Sequence, residues 1–129
     1  MPAASLARMA DSHRVHLGNI GEDAALEWYE RAGFSLVARN WRCKAGEIDL
    51  VVSSGDVLVF CEVKTRSGPA FGGGFEAVTF EKRARLRKLA EVFLLAHVGG
   101  HEYRVRFDVA SVMLARDDRP DVQMFTDAF

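Results

Sequence analysis

Three ionisable residues stand where a strand in the middle of a sheet should be apolar: Asp49 in GEIDLVV, and Glu62 and Lys64 in VLVFCEVK. Taking charge out of water without a partner is unfavourable, so charged residues among Ile48, Leu50, Leu58 and Phe60 imply a use. Between the two segments, Ser53, Ser54, Gly55 and Asp56 have the chemistry of a tight turn and predict a hairpin. A loop with an even number of residues pairs Val52 with Val57, and hence Asp49 with Phe60. Side chains alternate faces, so Asp49, Phe60, Glu62 and Lys64 share one face, with Glu62 diagonal to Asp49 and opposite Glu47. Val59, Cys61 and Val63 turn to the other side as core. Carboxylates this close repel one another unless a cation lies between them, and oxygen donors select a hard divalent ion, Mg²⁺ or Mn²⁺. Lys64 then sits where it can orient a water or stabilise charge developing on a phosphate. The chemistry expected is metal-assisted hydrolysis of a phosphodiester. The competing reading has Lys64 merely neutralising Glu62 on a solvated sheet face, with Asp49 bound to a neighbouring arginine.

The elements that must position these residues follow from periodicity and punctuation. Residues 1–16 read as a loose leader, and 17–129 as a single domain. From Asn19 a helical pattern runs to Ala32, with Ala25, Leu26, Trp28, Tyr29 and Ala32 at three- and four-residue steps and Gly33 as its C-cap. Glu22 belongs to the stripe of Ala25, Leu26 and Tyr29, so its carboxylate turns toward the sheet; an acid favoured by the helix dipole is the plainer account. Residues 34–42, 48–52 and 57–64 alternate as strands. Residues 66–75 hold four glycines and a proline and predict a mobile surface loop of the kind that covers sites. Thr79 can cap a second helix reaching about His97, with Leu86, Leu89, Ala90, Phe93 and Leu94 as its apolar stripe. A fourth strand covers 103–114 and a short edge strand 122–126. The order αβββαβ(β), with a helical crossover after the third strand, predicts an α/β (α+β) domain with a mixed sheet flanked by helices.

Composition sets the outer bounds. A chain of 129 residues with 49% hydrophobic and 27% charged residues can bury a core without disulfides, which excludes disorder, collagen and coiled coil. Lys and Arg total 17 against 18 Asp and Glu, so no global basic field marks a nucleic-acid or membrane partner, and any such site must be local. No apolar run reaches the roughly 18 residues of a membrane span, and the start lacks the apolar segment of a signal peptide, giving an expectation of a cytoplasmic protein with no membrane partner. Cys43 and Cys61 are too few and too far apart for a zinc site and read as reduced packing thiols. His13 with His16, and His97 with His101, lack a neighbouring ligand at zinc spacing and read as surface residues. Five basic residues, Lys82, Arg83, Arg85, Arg87 and Lys88, crowd the start of the second helix and could hold phosphates, or could form an ordinary solvated face. Arg39, Arg42 and Arg66 border the acidic site. Asp108 beside Arg106 is expected to orient that arginine or Lys82.

The spacing Asp49, then Glu62-Val63-Lys64, resembles the D…(D/E)xK signature of restriction-endonuclease-like nucleases, although Ile48 replaces its usual proline at a position that is not a ligand. A more specific set of motifs is GxxGE at Gly18, Gly21 and Glu22, RNWR at Arg39 to Arg42, GEIDLV at Gly46 to Val51, EVKTR at Glu62 to Arg66 and RFDV at Arg106 to Val109. Together these resemble the YraN family, related in fold to archaeal Holliday junction resolvases, over residues 16–129. The resemblance implies Asp49 and Glu62 as ligands for Mg²⁺ or Mn²⁺, Lys64 as catalytic lysine, and Glu22 as a further acid and ligand. It implies DNA as partner, for which Arg39, Arg42, Arg66, Lys82, Arg83 and Arg85 are the contacts expected from their own charge and position, and resolvase-like chemistry would call for a homodimer. The alternative is a non-catalytic nucleic-acid-binding or adaptor protein that keeps the fold.

Overall fold

The computed structural model describes residues 3–67, 79–97, 102–115, 117 and 119–129. The first helix, α1, spans Ala3–Arg31. It therefore begins well before Asn19, and the expected loose leader is replaced by helix from residue 3. Ala, Leu, Arg and Met dominate residues 3–10, and such strong helix formers extend a helix rather than fray it. Gly33 ends it in the left-handed region at φ 91°, where the Gly33 and Phe34 amides reach back to the carbonyls of Glu30 and Tyr29.

Strands β1 (Ser35–Cys43), β2 (Gly46–Ser54) and β3 (Val57–Ser67) form an antiparallel meander. Helix α2 (Phe80–His97) crosses over to β4 (Arg104–Leu114), which runs parallel to β3, and β5 (Pro120–Phe125) closes the edge antiparallel to β4. The five strands lie in the order β1-β2-β3-β4-β5, so the mixed sheet expected from the element order is present. Thr79 caps α2 as expected: its Oγ1 accepts from the Lys82 amide at 3.2 Å. Of the expected loop at 66–75, Arg66 and Ser67 belong to β3, and the remainder lies outside the described residues.

The hairpin register differs from the expectation in one respect. Ser54 pairs with Val57 and Leu50 with Cys61, leaving a two-residue loop of Gly55 and Asp56. Gly55 takes φ 59°, which a two-residue hairpin requires at its first loop position, and so both serines join the strand. The loop is still even-numbered, so Asp49 keeps the face of Phe60 and Glu62, but Phe60 pairs with Val51 rather than with Asp49, and the ladder ends at Leu50–Cys61 before it reaches Asp49 or Glu47.

Each face of the sheet has its own core. Ile48, Val51, Leu58 and Phe60 pack against Leu86, Leu89, Ala90 and Phe93 of α2. On the other face, Leu50, Val52, Val59, Cys61 and Ala110 pack against Ala25 and Tyr29 of α1. Full burial of side chains such as Phe60, Phe93 and Ile48 contributes about 1.5–3 kcal/mol each. Ile48 and Leu50, two residues apart, belong to opposite layers, which a regular strand forbids. The neighbouring strand breaks at the same level: Asn40, between the pairs Arg39–Leu50 and Trp41–Ile48, has φ 52°. As a result Arg39 reaches α1, while Trp41 packs on Phe93 and donates to His97 Nε2 at 3.0 Å.

Candidate active site

Asp49 occupies this irregular level. The β2–β3 ladder ends at Leu50–Cys61, and beyond it the Val63 amide donates at 2.8 Å to the Asp49 carboxylate. A side chain thus replaces a backbone acceptor, and a cavity of about 260 Å³ opens, lined by Gly46, Glu47, Asp49 and Glu62 from the sheet and by Lys82 and Arg85 from α2. Burial pushes the Asp49 carboxyl up to about 7, and the charges of Glu62, Glu22 and Glu47 add to this against the Val63 hydrogen bond. Glu62 in turn is held by Lys64 Nζ at 3.1 Å. The three residues singled out by the sequence therefore meet at one end of the β2–β3 pair.

Glu22 approaches from the opposite layer. Its carboxylate is nearly buried, and Oε1 accepts from Arg39 Nε at 3.1 Å and from Asn40 Nδ2 at 3.0 Å. It lines a second cavity of about 330 Å³ with Gly18, Asn19, Asn40, Arg42 and Glu47. Glu47 borders both cavities and is bound by Arg42 at 3.1 Å. Glu22 can lie here because Gly21 lets α1 touch β3: a Cβ on Gly21 would come within 1.7 Å of Thr65 Oγ1. Among the described residues, no three of His, Cys, Asp and Glu lie close enough to share one ion. Of the three acids that line the cavity under α2, Glu47 is bound by Arg42; the other two are Asp49 and Glu62, and the unfavourable charge on Asp49 is what a cation would relieve. A hard divalent ion fits this pair, because Mg²⁺ takes one or two carboxylates and fills its shell with water and phosphate oxygens.

The basic residues divide into groups. Lys82 and Arg85 overhang the acidic cavity, and Lys82 lies so near Lys64 that the neighbouring charge holds its pKa below the usual lysine range. Arg83 and Arg87 instead lie over the Phe129 ring, at 5.8 and 5.5 Å from its centroid, and Phe129 stacks on Phe107. Arg39 is engaged by Glu22, Asp23 and the Asn19 carbonyl, so it ties β1 to α1. Arg42 is exposed beside Glu47, and Arg66 is half-buried in β3. Asp108 does orient Arg106, in a bidentate pair at 2.9 and 2.8 Å, but it faces α1, on the opposite side of the sheet from Lys82. Asn40 was not among the residues singled out by the sequence. An asparagine inside a strand is a usable signal, since the type is depleted in sheets and tolerates positive φ.

No helix among the described residues is long and apolar enough to cross a membrane. Residues 21–112 match the model of Uncharacterised protein family UPF0102, a span that includes Glu22, Asp49, Glu62, Lys64 and the basic start of α2. A UPF0102 protein of Rhodococcus jostii is 47% identical over 118 residues, covering 92% of this chain and 99% of its own length. Another, of Acidothermus cellulolyticus, is 42% identical over 127 residues, covering 92% of this chain and 96% of its own. A third, of Streptomyces griseus, is 48% identical over 107 residues, covering 83% and 90%. With a match over most of its length and the motifs of the YraN family in place on a restriction-endonuclease-like sheet, the chain belongs to family UPF0102.

Proposed function

We propose that this protein is a metal-dependent nuclease that hydrolyses phosphodiester bonds in DNA. The observation that carries the reading is the parting of β2 and β3 at Asp49, which sets Asp49 and Glu62 on one cavity with Lys64 bonded to Glu62 and a basic wall from α2 above. Asp49 and Glu62 would hold Mg²⁺ or Mn²⁺, which when bound supplies Lewis-acid stabilisation of charge on the phosphate. Lys64 orients the attacking water and donates to oxygen as negative charge builds there. Lys82 and Arg85 hold the phosphate over the pocket, with Arg42 on the neighbouring Glu22 cavity and Arg66 two residues past Lys64 on β3. Glu22, fixed by Arg39 and Asn40, adds negative charge from the α1 side and completes the acidic end of the strands.

A second reading, a non-catalytic nucleic-acid-binding adaptor, is favoured by one feature: Lys64 already neutralises Glu62, and Arg39 and Asn40 already satisfy Glu22. Nicking of branched and single-stranded DNA with Mn²⁺ or Mg²⁺ separates the two. Asp49→Ala and Lys64→Ala should each reduce the rate by about 10²–10³-fold or more. Calorimetric Mn²⁺ binding should vanish in Asp49→Ala with Glu62→Ala. Equal, contaminant-like rates in wild type and both single variants would defeat the nuclease reading, and metal-independent DNA binding with a steep salt slope would establish the adaptor.

A further inference from the structure

The face of the sheet that carries Glu62 and Lys64 stays polar beyond Lys64. In the parallel β3–β4 ladder Lys64 pairs with Ser111, and in the antiparallel β4–β5 ladder Ser111 pairs with Gln123. Cross-strand partners project to the same face, so an ammonium, a hydroxyl and a carboxamide form a row across three strands, spaced about 4.8 Å per step. The row on one side, Glu62, Val109 and Phe125, turns apolar beyond β3, and the row on the other, Arg66, Met113 and Asp121, is interrupted by a methionine and ends on a carboxylate, so of the three the Lys64 row is the one that continues across β4 and β5 with neutral hydrogen-bonding groups. Ser111 is half-buried and Gln123 exposed, and neither side chain hydrogen-bonds to another described residue. Two neutral donor-acceptor groups thus continue the line of the site toward the β5 edge.

We propose that Ser111 and Gln123 form a subsite for one nucleic-acid strand, hydrogen-bonding sugar and phosphate oxygens of the nucleotide next to the one held at Lys64. The inference rests on the nuclease reading and adds the direction in which the strand runs, from the acidic cavity across β4 to β5. The occupant follows from continuity with the Lys64 row and from the cations Lys82 and Arg85, which call for a polyanion. Contacts through a hydroxyl and an amide release no counterions, unlike those through lysine or arginine. The subsite therefore has its own signature: its loss weakens binding without changing the salt dependence.

The test uses the full chain with a fluorescein-labelled single-stranded oligonucleotide, Ca²⁺ replacing Mg²⁺, and anisotropy read at several salt concentrations. Ser111→Ala with Gln123→Ala should raise Kd by about 10-fold, the loss of two ordinary hydrogen bonds, with an unchanged salt slope. Lys82→Ala should lower that slope by about one contact. Thermal melts and Mn²⁺ calorimetry should match wild type in the double variant. A photoreactive benzoylphenylalanine at position 123 should crosslink the oligonucleotide, and one at the exposed α1 position 30 should not. Unchanged Kd in the double variant, or equal crosslinking from both positions, overturns the subsite and leaves the nuclease reading standing. A wild-type chain that binds no oligonucleotide overturns both.

Discussion

At the scale of single residues, Asp49 is held at the end of a ladder where its charge is disfavoured. The folded chain raises its carboxyl to about 7 from an ordinary 3.8, mainly by burial and then by the charge of Glu62. Between pH 4 and 7 the folded state therefore binds more protons at this site than the unfolded state does, so this group lowers stability as pH rises through that window. Above about 7 the penalty is complete. Asp49→Asn keeps an acceptor for the Val63 amide and removes the charge. It is expected to raise the stability of the metal-free protein at pH 8 by on the order of 1–2 kcal/mol and to flatten the loss between pH 4 and 8. Urea unfolding across that range reads both effects; a variant no more stable than wild type at pH 8 would show that the Asp49 charge is not strained. On the nuclease reading, Mn²⁺ should stabilise wild type at pH 8 and leave Asp49→Asn nearly unmoved.

At the scale of elements, two close fits bring acids from opposite layers to one strand end. The first is the approach of α1 to β3 at Gly21, where any side chain meets Thr65. Gly21→Ala should destabilise by roughly 1–3 kcal/mol through overpacking and, on the nuclease reading, should also reduce DNA cleavage by lifting Glu22 away from Arg39 and Asn40. Thr65→Ala in that background should recover part of the stability, because the nearest clash is with the threonine hydroxyl. Denaturant midpoints of the single and double variants test this, and additive losses would reject direct contact as the cause. The second fit is the break at Asn40, whose left-handed backbone turns Arg39 to one layer and Trp41 to the other. The same break lets Ile48 and Leu50 serve different cores, with Asp49 between them.

At the scale of the whole molecule, the last turns of α1 and the segment after β5 are tied to the sheet through Asp108. This fully buried carboxylate accepts from Tyr29 of α1 at 2.7 Å, from Arg106 through two nitrogens, and from the Asp127 amide at 2.9 Å. Burial, then the nearby Cys61 and Asp108, drives the Tyr29 hydroxyl far above the usual tyrosine range, so it remains a donor at any working pH. Asp108→Ala leaves Arg106, the phenol and the Asp127 amide without their acceptor and is expected to cost roughly 3–5 kcal/mol. Tyr29→Phe removes one donor and should cost about 1–3 kcal/mol. Equilibrium unfolding would contradict this account if Asp108→Ala were no more destabilising than Tyr29→Phe. Neither side chain lines the two acidic cavities, so on the nuclease reading Tyr29→Phe should leave the metal binding read by calorimetry unchanged.

The linear sequence by itself determined the element order, the caps at Gly33 and Thr79, the hairpin and the shared face of Asp49, Glu62 and Lys64. Each of these depends on local propensity or on the two-residue period of a strand, which near neighbours set. It was also sufficient to mark Glu22 as turned toward the sheet. Tertiary structure decided what local rules cannot. The hairpin register slid because Gly55 and Asp56 alone form the loop, which ends the ladder at Leu50–Cys61 and leaves the Asp49 side chain to accept from the Val63 amide. Alternation failed at Asn40, because a left-handed residue in one strand must be matched by its partner strand. The basic residues of α2 look equivalent in sequence, yet Lys82 and Arg85 overhang the acids while Arg83 and Arg87 lie on Phe129, which sits more than 40 positions away. Arg39 reads as a phosphate contact until α1 is in place and engages it. In each case the deciding partner is distant in sequence, and only packing of the two helices on opposite faces of the sheet brings it near.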